Sequence, residues 1–515
     1  MKHFGKVLSA QPKLLDAHLI TVEADYSHGL HAFSIVGLPD KAVEEARDRV
    51  GSALKNSGFS SPKHSNKKVV ISLAPAHIKK EGALFDTPIA LAYLLASEEI
   101  SFETSDKLFV GELGLDGAVR PVHGVLPIVK TALQAGIKEV YVPMENAEEG
   151  ALIEGIAVYG YSNLSELVDH INVLPNDTPI HKEKRPLIQA KKVQQKKDVT
   201  KTDANLDDIR GQEHAKRGLM IAAAGGHNIA FYGPPGTGKT MLASALASII
   251  PELTFEEMLR VHSIHSVAGV ERACTDVLPP IRSPHHTSSY VALVGGGTIP
   301  KPGEITLAHH GVLFLDEFPE FDKRVINSLR QPLEDGVISI ARAKGSVTFP
   351  SRFILVAAMN PCPCGYGEGP HCTCSPLATQ KYKQKISGPI LDRIDMWIEV
   401  TATPHDALFE NRKVSTAETA SARKIIHGAR QSQQKRFSKE SFKTNSALGA
   451  KRLLSYISVT DAQKGILKQA ATTLNLSPRG THRVLRLART IADLDGSKSI
   501  EDAHILEALQ YRAKF

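Results

Sequence analysis

Residues 233–240 read GPPGTGKT, and this octet fits the pattern G-x-x-x-x-G-K-[ST]. It follows the strand-like run NIAFYG and precedes the helix-like run MLASALASII, which is the context that the pattern requires. Glycines let the backbone wrap around phosphates, while inward N–H groups and a helix N-terminus supply positive potential. We expect Lys239 to reach the β and γ phosphates of ATP and the Thr240 hydroxyl to bind Mg²⁺. The residues expected to contact the nucleotide here are Gly233, Pro234, Pro235, Gly236, Thr237, Gly238, Lys239 and Thr240.

Two strand ends further along the chain carry the polar groups that hydrolysis of ATP needs. The apolar run GVLFL ends in Asp316 and Glu317, and the run RFILVAAM ends in Asn360. We expect Asp316 to hold Mg²⁺, directly or through water, and Glu317 to accept a proton from the attacking water. The Asn360 amide can orient that water, although asparagine at a strand end is also a common turn residue.

Four of the five cysteines lie together in the segment CPCGYGEGPHCTC, shortly after Asn360. Four thiolates this close in sequence can bind Zn²⁺ tetrahedrally, and His371 could replace one of them. Reduced thiols, or a disulfide formed on oxidation, are the alternative. The paired histidines at 285–286 and 309–310 are interpreted as core or hydrogen-bonding groups. The candidate zinc ligands are Cys362, Cys364, Cys372 and Cys374.

The segment GVISIARAKGSVTFP predicts a basic hairpin. Residues 337–342 alternate β-branched with small or charged side chains, and Ala343-Lys344-Gly345 can form a tight turn. This places Lys344 at the tip and Arg342 beside it, where two cations suit the phosphate backbone of DNA. A solvated basic hairpin without a ligand is the alternative. The glycine-rich segment 292–297 is a second candidate for the same role.

Positioning all these groups requires several folding units. The chain has 515 residues, which at about 150 residues per domain corresponds to about three domains. We expect an α/β multidomain protein, with an α/β domain over residues 1–171 and a basic flexible linker over 172–205. A second α/β domain with short, buried parallel strands covers 206–404, and an all-α domain covers 405–515. A nucleic-acid-binding tail is the alternative interpretation of the linker.

The composition excludes several classes of protein. Hydrophobic residues make up 42% and charged residues 23%, as in ordinary globular proteins. The net charge of +7 lies largely in the lysine-rich linker, so the chain as a whole is only weakly indicative of nucleic-acid binding. No apolar run approaches the ~20 residues of a membrane span, and the N-terminus lacks an apolar signal core. We therefore expect a cytoplasmic protein with no membrane partner.

With these residues in hand, the chain resembles AAA+ ATPases, and over nearly its whole length it resembles the magnesium-chelatase-like family with its YifB-type competence proteins. The resemblance is carried by PHHTSSYVALVGGG, PKPGEITLAHHGVLFLDEFPEF, AAMNPCPCGYG and SGPILDRIDMWIEV. It implies an AAA+ P-loop NTPase core, an all-α C-terminal lid and a homo-hexameric ring that binds ATP between subunits. The segment GVISIARAKGSVTFP resembles the hairpin that precedes the sensor-1 strand in minichromosome-maintenance helicases, which implies a tip that faces the channel of the ring.

The same resemblance assigns two arginines. Arg393 in LDRID matches the arginine finger, which stabilises the charge on the phosphoryl group in a neighbouring subunit. A solvated arginine is the alternative. Arg479 in LSPRGTHRVLR matches the second sensor, and Arg483, one turn later on the same helix face, is the alternative to it.

The first domain resembles the proteolytic domain of Lon, which has a ribosomal S5 domain 2-like fold. The resemblance is carried by GELGLDGAVRPVHGVLPIVKTALQAGIKEVYVPMEN and KKEGALFDTPIAL. A Ser–Lys dyad needs a hydroxyl and an amine within hydrogen-bond reach, but the matching positions here are Leu84 and Leu126. We expect a Lon-like fold without peptidase chemistry, used for substrate binding or assembly.

Three hypotheses about the use of ATP hydrolysis are compatible with the sequence. The first, which the resemblance to the competence proteins implies, is a hexameric DNA motor. It would be a helicase or branch-migration enzyme that promotes integration of DNA during natural transformation and homologous recombination, with recombination proteins as candidate partners. The second is a magnesium-chelatase-like ATPase that remodels a protein partner. The third is a peptidase or protein-remodelling machine, and Leu84 and Leu126 argue against its peptidase chemistry. The first is the prediction adopted, with Arg342 and Lys344 as the DNA-contacting residues.

Overall fold

The computed structural model divides the chain into two compact units. One consists of Met1–Lys196 with Met258–Asp276, and the other of Lys197–Glu257 with Val277–Phe515. Among the helices of the described ranges, none has the length and apolar character needed to cross a membrane. The described residues are 3–13, 15–29, 32–62, 67–173, 187–190, 204–274, 276–297, 301–342, 345–367, 372–401 and 417–512.

The first unit contains a seven-stranded mixed sheet. Its strands are β1 (Phe4–Lys13), β2 (Asp16–His28), β3 (Ala32–Val36), β4 (Lys67–Ala74), β5 (Lys107–Phe109), β8 (Glu139–Pro143) and β9 (Ala157–Tyr161), while β6 (Glu112–Leu113) and β7 (Val119–Arg120) form a separate ribbon. The strand order is β3-β4-β2-β1-β5-β8-β9, with β1, β2 and β4 antiparallel and the other neighbours parallel. Exposed and buried residues alternate at the start of β1, as expected for a sheet with one covered face.

Helices cover this sheet. They are α1 (Lys41–Asn56), α2 (Asp86–Ala96), α3 (Val125–Gln134), α4 (Ala147–Gly150) and α5 (Leu164–Ile171). The Asp40 carboxylate accepts a hydrogen bond from the Val43 N–H at 2.9 Å and so caps α1, which ends just before Gly58 with its φ of +84°. All residues of α2 except Leu95 are buried, which explains why its sequence is apolar all round. Gly5 permits this packing, since a Cβ there would lie 2.1 Å from the Ala92 carbonyl oxygen.

Part of the predicted linker is ordered against the edge of this sheet. Gln189 forms a β-bridge with Tyr159, and the Ala190 N–H donates to the Val158 carbonyl at 2.8 Å. Leu187 is buried, and its N–H donates to His170 Nδ1 at 2.9 Å. Backbone pairing to an open strand edge therefore orders these four residues within an otherwise polar segment. Residues 174–186 and 191–203 of the predicted linker lie outside the described residues.

The second unit is built on a five-stranded parallel sheet. Its strands are β10 (Ile229–Tyr232), β11 (Ile281–Arg282), β14 (Val312–Leu315), β17 (Ile354–Met359) and β18 (Met396–Glu399), in the order β11-β14-β17-β10-β18. Every residue of β14 and β17 is buried, as expected for parallel strands covered on both faces. Since parallel strands all end at one edge of the sheet, the segments after β10, β14 and β17 lie close together there.

Two small antiparallel ribbons belong to the same unit. The strands β12 (Gly295–Gly296) and β13 (Lys301–Pro302) form one, and β15 (Val337–Arg342) and β16 (Gly345–Pro350) form the other. In the second ribbon Arg342 pairs with Gly345, so the predicted basic hairpin is present with a two-residue connection.

The remaining helices follow along the chain. They are α6 (Glu213–Gly225), α7 (Lys239–Ile249), α8 (Phe255–Ala268), α9 (Tyr290–Val294), α10 (Glu304–Leu307), α11 (Lys323–Ser328), α12 (Arg330–Asp335), α13 (Pro376–Gln384), α14 (Gly388–Leu391), α15 (Ala417–Arg436), α16 (Ala450–Tyr456), α17 (Asp461–Thr473), α18 (Pro478–Leu494) and α19 (Asp502–Gln510). All of these helices except α8, most of which belongs to the first unit, are part of the second unit. The described residues from 417 to 512 contain helices and no strand. The fold is therefore mixed α/β with a parallel sheet and many helices.

One segment departs from the predicted domain boundaries. Residues 258–276 lie between α7 and β11 in the sequence, yet they belong to the first unit. There the Ser266 hydroxyl accepts a hydrogen bond from the Gly124 N–H at 2.9 Å. Val261 and Ile264 of this segment are buried. Such tertiary packing is invisible to a boundary drawn from local sequence pattern.

Candidate active site

The segment GPPGTGKT connects β10 to α7, whose first residue is Lys239. Gly236 and Gly238 have φ angles of +77° and +87°, a region that glycine adopts without strain. Among the described residues, no atom outside their chain neighbours lies within 4 Å of a Cβ built on either glycine. The loop therefore offers open space beside its backbone at a helix N-terminus, as a triphosphate requires.

Lys239 ties this loop to the end of β17. Its ammonium donates hydrogen bonds to the carbonyl oxygens of Gly233 and Pro234, both at 2.8 Å, and to Asn360 Oδ1 at 3.1 Å. Burial lowers the pKa of Lys239, and the nearby negative charge of Asp316 opposes that shift. The lysine and Asn360 meet because β10 and β17 are neighbours in the sheet.

Thr240 and Asp316 form the expected magnesium-binding pair. The Thr240 hydroxyl donates to Asp316 Oδ2 at 3.0 Å, and Asp316 Oδ1 accepts the Glu317 N–H at 2.8 Å. A hydroxyl and a carboxylate oxygen are the hard ligands that Mg²⁺ prefers, and the ion usually keeps several waters and takes its other oxygens from phosphates. The residues present therefore fit a magnesium–nucleotide complex.

Glu317 lies just beyond β14 in a left-handed conformation, with φ of +50°, which is uncommon for a residue other than glycine. Its Oε2 lies 3.1 Å from Nδ1 of His286, so the carboxylate has a partner in the same chain. The sequence suggested only a hydrogen-bonding or core role for His286. Its link to Glu317 depends on the pairing of β11 with β14, which brings the segment after β11 beside the end of β14.

Arg393 and Arg479 converge on one carboxylate, that of Glu334 on α12. Arg393 Nη2 donates to Glu334 Oε2, and Arg479 Nη2 lies 3.3 Å from Oε1. The hydrogen bond from Arg393, together with the charges of both arginines, lowers the pKa of Glu334. The Arg479 side chain is 65% exposed, whereas that of Arg393 is mostly buried. No local sequence pattern singled out Glu334, because its partners Arg393 and Arg479 are far from it in the sequence.

Arg483, the alternative to Arg479, is held differently. Its Nη1 lies 3.5 Å from Oδ1 of Asp395, and both side chains are largely buried. Burial disfavours the charge of Asp395, but a hydrogen bond from His227 and the charge of Arg483 outweigh burial and keep its pKa well below the usual range. A buried ion pair suits a structural role, so the geometry favours Arg479 over Arg483 as the arginine that can reach a ligand.

The predicted catalytic residues thus form two groups. The nucleotide group consists of Lys239, Thr240, Asp316, Glu317 and Asn360, and the arginine group consists of Arg393 and Arg479 on Glu334. Within the described part of the chain, none of the hydrogen bonds or ion pairs found joins a member of one group to a member of the other.

One of the two candidate DNA-contacting residues belongs to the ribbon of β15 and β16. The backbone of Arg342 ends β15, while Ala343 and Lys344 lie outside the described residues. The ribbon begins just after α12 and Gly336, whose carbonyl accepts the Ser351 N–H at 2.8 Å. The second candidate segment, 292–297, is partly packed, because a Cβ on Gly295 would lie 2.5 Å from the Lys301 carbonyl oxygen.

The four clustered cysteines converge in space as well as in sequence. Each offers a sulfur, and all four sulfurs lie within 4.8 Å of one another. His371, the possible replacement ligand, lies outside the described residues.

The two leucines at the positions of the Lon dyad are both buried. Leu84 precedes α2 and is 8% exposed, and Leu126 lies in α3 and is 1% exposed. Aliphatic side chains can neither attack a carbonyl nor accept a proton, so they contribute packing at these positions.

Comparison with known proteins gives matches along the whole chain. The family described as magnesium chelatase, subunit ChlI, matches residues 205–408, the subunit ChlI of Mg-chelatase matches 22–146, and the subunit ChlI C-terminal family matches 416–512. The competence protein ComM of Haemophilus influenzae is 43% identical over 504 residues, which are 97% of this chain and 95% of ComM. YifB of Salmonella typhimurium is 41% identical over the same shares of the two chains.

Dedicated chelatase subunits are more distant. The magnesium-chelatase 67 kDa subunit of Chlorobaculum parvum is 29% identical over 160 residues, which are 30% of this chain and 23% of that subunit. The likeness to ComM and YifB, in contrast, extends over both units. The chain therefore belongs to the magnesium-chelatase-like family of AAA+ ATPases, together with ComM and YifB.

Proposed function

We propose that this protein is an ATP-driven DNA motor, a homo-hexameric ring in the cytoplasm that promotes branch migration during natural transformation and homologous recombination. The likeness to a competence protein over nearly the full length of both chains supports a role in DNA uptake and integration. The observation that carries the mechanism is the separation of the nucleotide group from the arginine group within one chain.

A ring would bring the two groups together across each subunit interface. The nucleotide group supplies Lys239 to the phosphates but has no arginine partner among its described contacts. Arg393 and Arg479 of an adjacent subunit would provide that positive charge after releasing Glu334. An arginine finger stabilises the charge that develops on the transferred phosphoryl group. Each ATP would thus be hydrolysed only where two subunits meet.

The residues of the nucleotide group have distinct tasks in this proposal. Thr240 and Asp316 would hold Mg²⁺, which neutralises charge on the β and γ oxygens of the substrate. Lys239 would exchange its contacts with loop carbonyls for contacts with phosphate. Glu317 would leave His286 and accept a proton from the attacking water, and Asn360 would orient that water.

The position of Glu334 suggests how hydrolysis would move DNA. This residue holds the arginine group, and it lies on α12, immediately before the ribbon that carries Arg342. When the arginines leave Glu334 for a nucleotide, α12 loses two ionic contacts next to the root of the ribbon. A ribbon displaced in this way would push its cations, Arg342 and Lys344, against the DNA backbone.

The test uses the full-length protein and a labelled three- or four-way DNA junction with ATP and Mg²⁺. The wild-type chain should form rings, hydrolyse ATP faster in the presence of DNA, and convert the junction to its branch-migrated products. The Arg342→Ala/Lys344→Ala variant should keep its basal hydrolysis but lose DNA stimulation. A matched control replaces Lys439 and Lys451, two exposed lysines of the C-terminal part, with alanine and should behave as wild type.

A second function has its own support. All three family matches are to magnesium-chelatase subunit ChlI, so ATP hydrolysis could remodel a protein partner instead. In that case DNA would change neither the rate of hydrolysis nor ring formation. The same assay decides between the two functions, since an ATPase that is indifferent to DNA contradicts the motor proposal.

A further inference from the structure

We propose that Cys362, Cys364, Cys372 and Cys374 bind one structural zinc ion, and that this ion fixes the loop after Asn360 against the phosphate-binding loop. The first half of the proposal stands on the cysteine geometry alone. The second half rests on the proposed ATPase function and deepens it.

The distances among the sulfurs match a metal centre. Cys362 Sγ lies 3.3 Å from Cys364 Sγ and 3.8 Å from Cys372 Sγ, and the sulfurs of Cys364 and Cys372 are 3.5 Å apart. Tetrahedral zinc, with Zn–S bonds of about 2.3 Å, places neighbouring sulfurs about 3.8 Å apart. None of the four forms a disulfide. The four sulfurs therefore already lie close enough together to bind one ion placed between them.

Backbone groups orient the same sulfurs. The Gly367 N–H donates to Cys362 Sγ at 3.2 Å, and the Cys364 N–H donates to Cys374 Sγ at 3.3 Å. Such N–H to sulfur bonds stabilise metal-bound thiolates and fix the ligand geometry. Four soft thiolates select zinc or iron among the common metals, and four protein ligands leave no open position for catalysis.

A helix start lies next to the cluster. Ser375 follows Cys374 directly, and its side chain caps α13 by accepting the Ala378 N–H. Four thiolates around Zn²⁺ carry a net negative charge, which the positive potential of a helix N-terminus stabilises. The metal would thus connect the end of β17 to the start of α13 through one short loop.

This loop is in contact with the phosphate-binding loop. A Cβ on Gly365 would lie 2.9 Å from Cδ of Pro235, so the loop backbone packs directly on that proline. Just before the first cysteine, Asn360 accepts the hydrogen bond from Lys239. Anchoring the cysteines therefore restrains both Asn360 and one wall of the nucleotide site. Without the ion, both would be free to shift away from their positions for binding phosphate.

The zinc test measures metal directly in full-length protein purified under reducing conditions. Elemental analysis should find about one zinc per wild-type chain, and the same amount in Cys274→Ser, which changes the cysteine outside the cluster. The Cys362→Ser/Cys372→Ser variant should contain none. If that variant fails to fold, wild-type protein stripped by a chelator serves instead. Titration with Co²⁺ should then produce the thiolate-to-cobalt charge-transfer absorption of a tetrahedral site.

Two results would overturn the metal assignment. One is wild-type protein with no more zinc than the double variant or the stripped protein and no cobalt absorption. The other is iron in place of zinc. Neither measurement involves ATP or DNA, so failure here is distinguishable from failure of the motor proposal.

The second half is tested by nucleotide affinity. Wild-type protein is stripped of zinc, freed of chelator, supplied with Mg²⁺ and titrated with a fluorescent ATP analogue, with and without added Zn²⁺. We expect the Kd to rise by about tenfold without zinc, because small displacements of binding groups are costly, and to recover when zinc is restored. Cys274→Ser should respond as wild type. An equal Kd with and without zinc would show that the ion does not support the ATP site.

Discussion

The nucleotide group and the arginine group differ in the partners that hold their side chains. Lys239, Thr240, Asp316 and Asn360 contact one another, so one chain can assemble this half of the site by itself. The arginines are instead held by Glu334, a carboxylate that is not part of the site. In the proposed ring, one half of the site would thus be complete in a single chain, and the arginines would stay on Glu334 until a neighbouring subunit presents ATP.

A second contrast separates two arginines on the same helix. Arg479 contacts an exposed carboxylate, while Arg483, one turn later, contacts a buried one. Water weakens the first ion pair and competes for its partners, whereas the second is costly to break. The difference indicates which arginine can move during a catalytic cycle and which maintains the fold.

The largest expected effect is that of Arg393→Ala. If Arg393 acts as an arginine finger, hydrolysis should fall by about 10³–10⁵-fold while ATP binding persists. Mixing this variant with Lys239→Ala subunits sharpens the test, because some mixed interfaces then contain both an intact Lys239 and an intact Arg393. We expect the mixture to recover part of the activity in steady-state ATPase assays. No recovery in mixed rings would mean that one chain supplies both groups.

The next effect is that of Glu317→Gln. Removing the general base should lower the rate of hydrolysis by roughly 10²–10⁴-fold and leave nucleotide affinity nearly unchanged. Single-turnover hydrolysis and nucleotide titration measure the two quantities separately. Glu320→Gln is the matched control, since Glu320 lies nearby and pairs with Lys385 on the surface. A comparable loss in the control would assign the effect to local structure rather than to proton transfer.

Asp395→Asn should destabilise the second unit by about 3–5 kcal/mol, because it leaves Arg483 buried without a charged partner. Trp397, the single tryptophan of the chain, lies two residues away and is buried, so its fluorescence reports urea unfolding of this unit. Asp392→Asn should cost less, about 1 kcal/mol, because the Asp392 side chain is 30% exposed and lies 3.9 Å from the Arg512 guanidinium, which makes a loose contact. Equal losses in the two variants would remove the distinction between buried and releasable pairs.

The smallest effect is that of Glu334→Gln, at about 1 kcal/mol or less, because the carboxylate is half-exposed and screened by salt. The arginines lower the pKa of Glu334, so its contribution is complete above the ordinary glutamate value and is lost as pH falls through the lowered value. The difference in unfolding free energy between wild type and variant should therefore shrink on acidification. A difference that stays constant with pH would show that charge is not what holds the arginines.

Local motifs were the predictable part of this molecule. The loop around Lys239, the strand ends at Asp316 and Asn360, and the hairpin ending at Arg342 all follow from short patterns whose backbone requirements are strict. The pairing of Glu334 with two arginines could not be predicted, since the partners are far apart in sequence and surface carboxylates are common. The contact of His286 with Glu317 could not be predicted either, because it depends on the pairing of β11 with β14.

Residues 258–276 belong to the first unit although the chain on both sides of them belongs to the second, and this affects how truncated forms of the protein will behave. The chain passes from one unit to the other at 196–197, 257–258 and 276–277. A cut in the predicted linker therefore does not separate the two units, because residues 258–276 of the first unit remain attached to the second. A fragment that begins at residue 197 would carry Val261 and Ile264 without the rest of the first unit, and a fragment that ends at 196 would lack these two buried side chains. Insolubility of either fragment would then result from a divided core and would say nothing about the role of the first unit in the proposed motor.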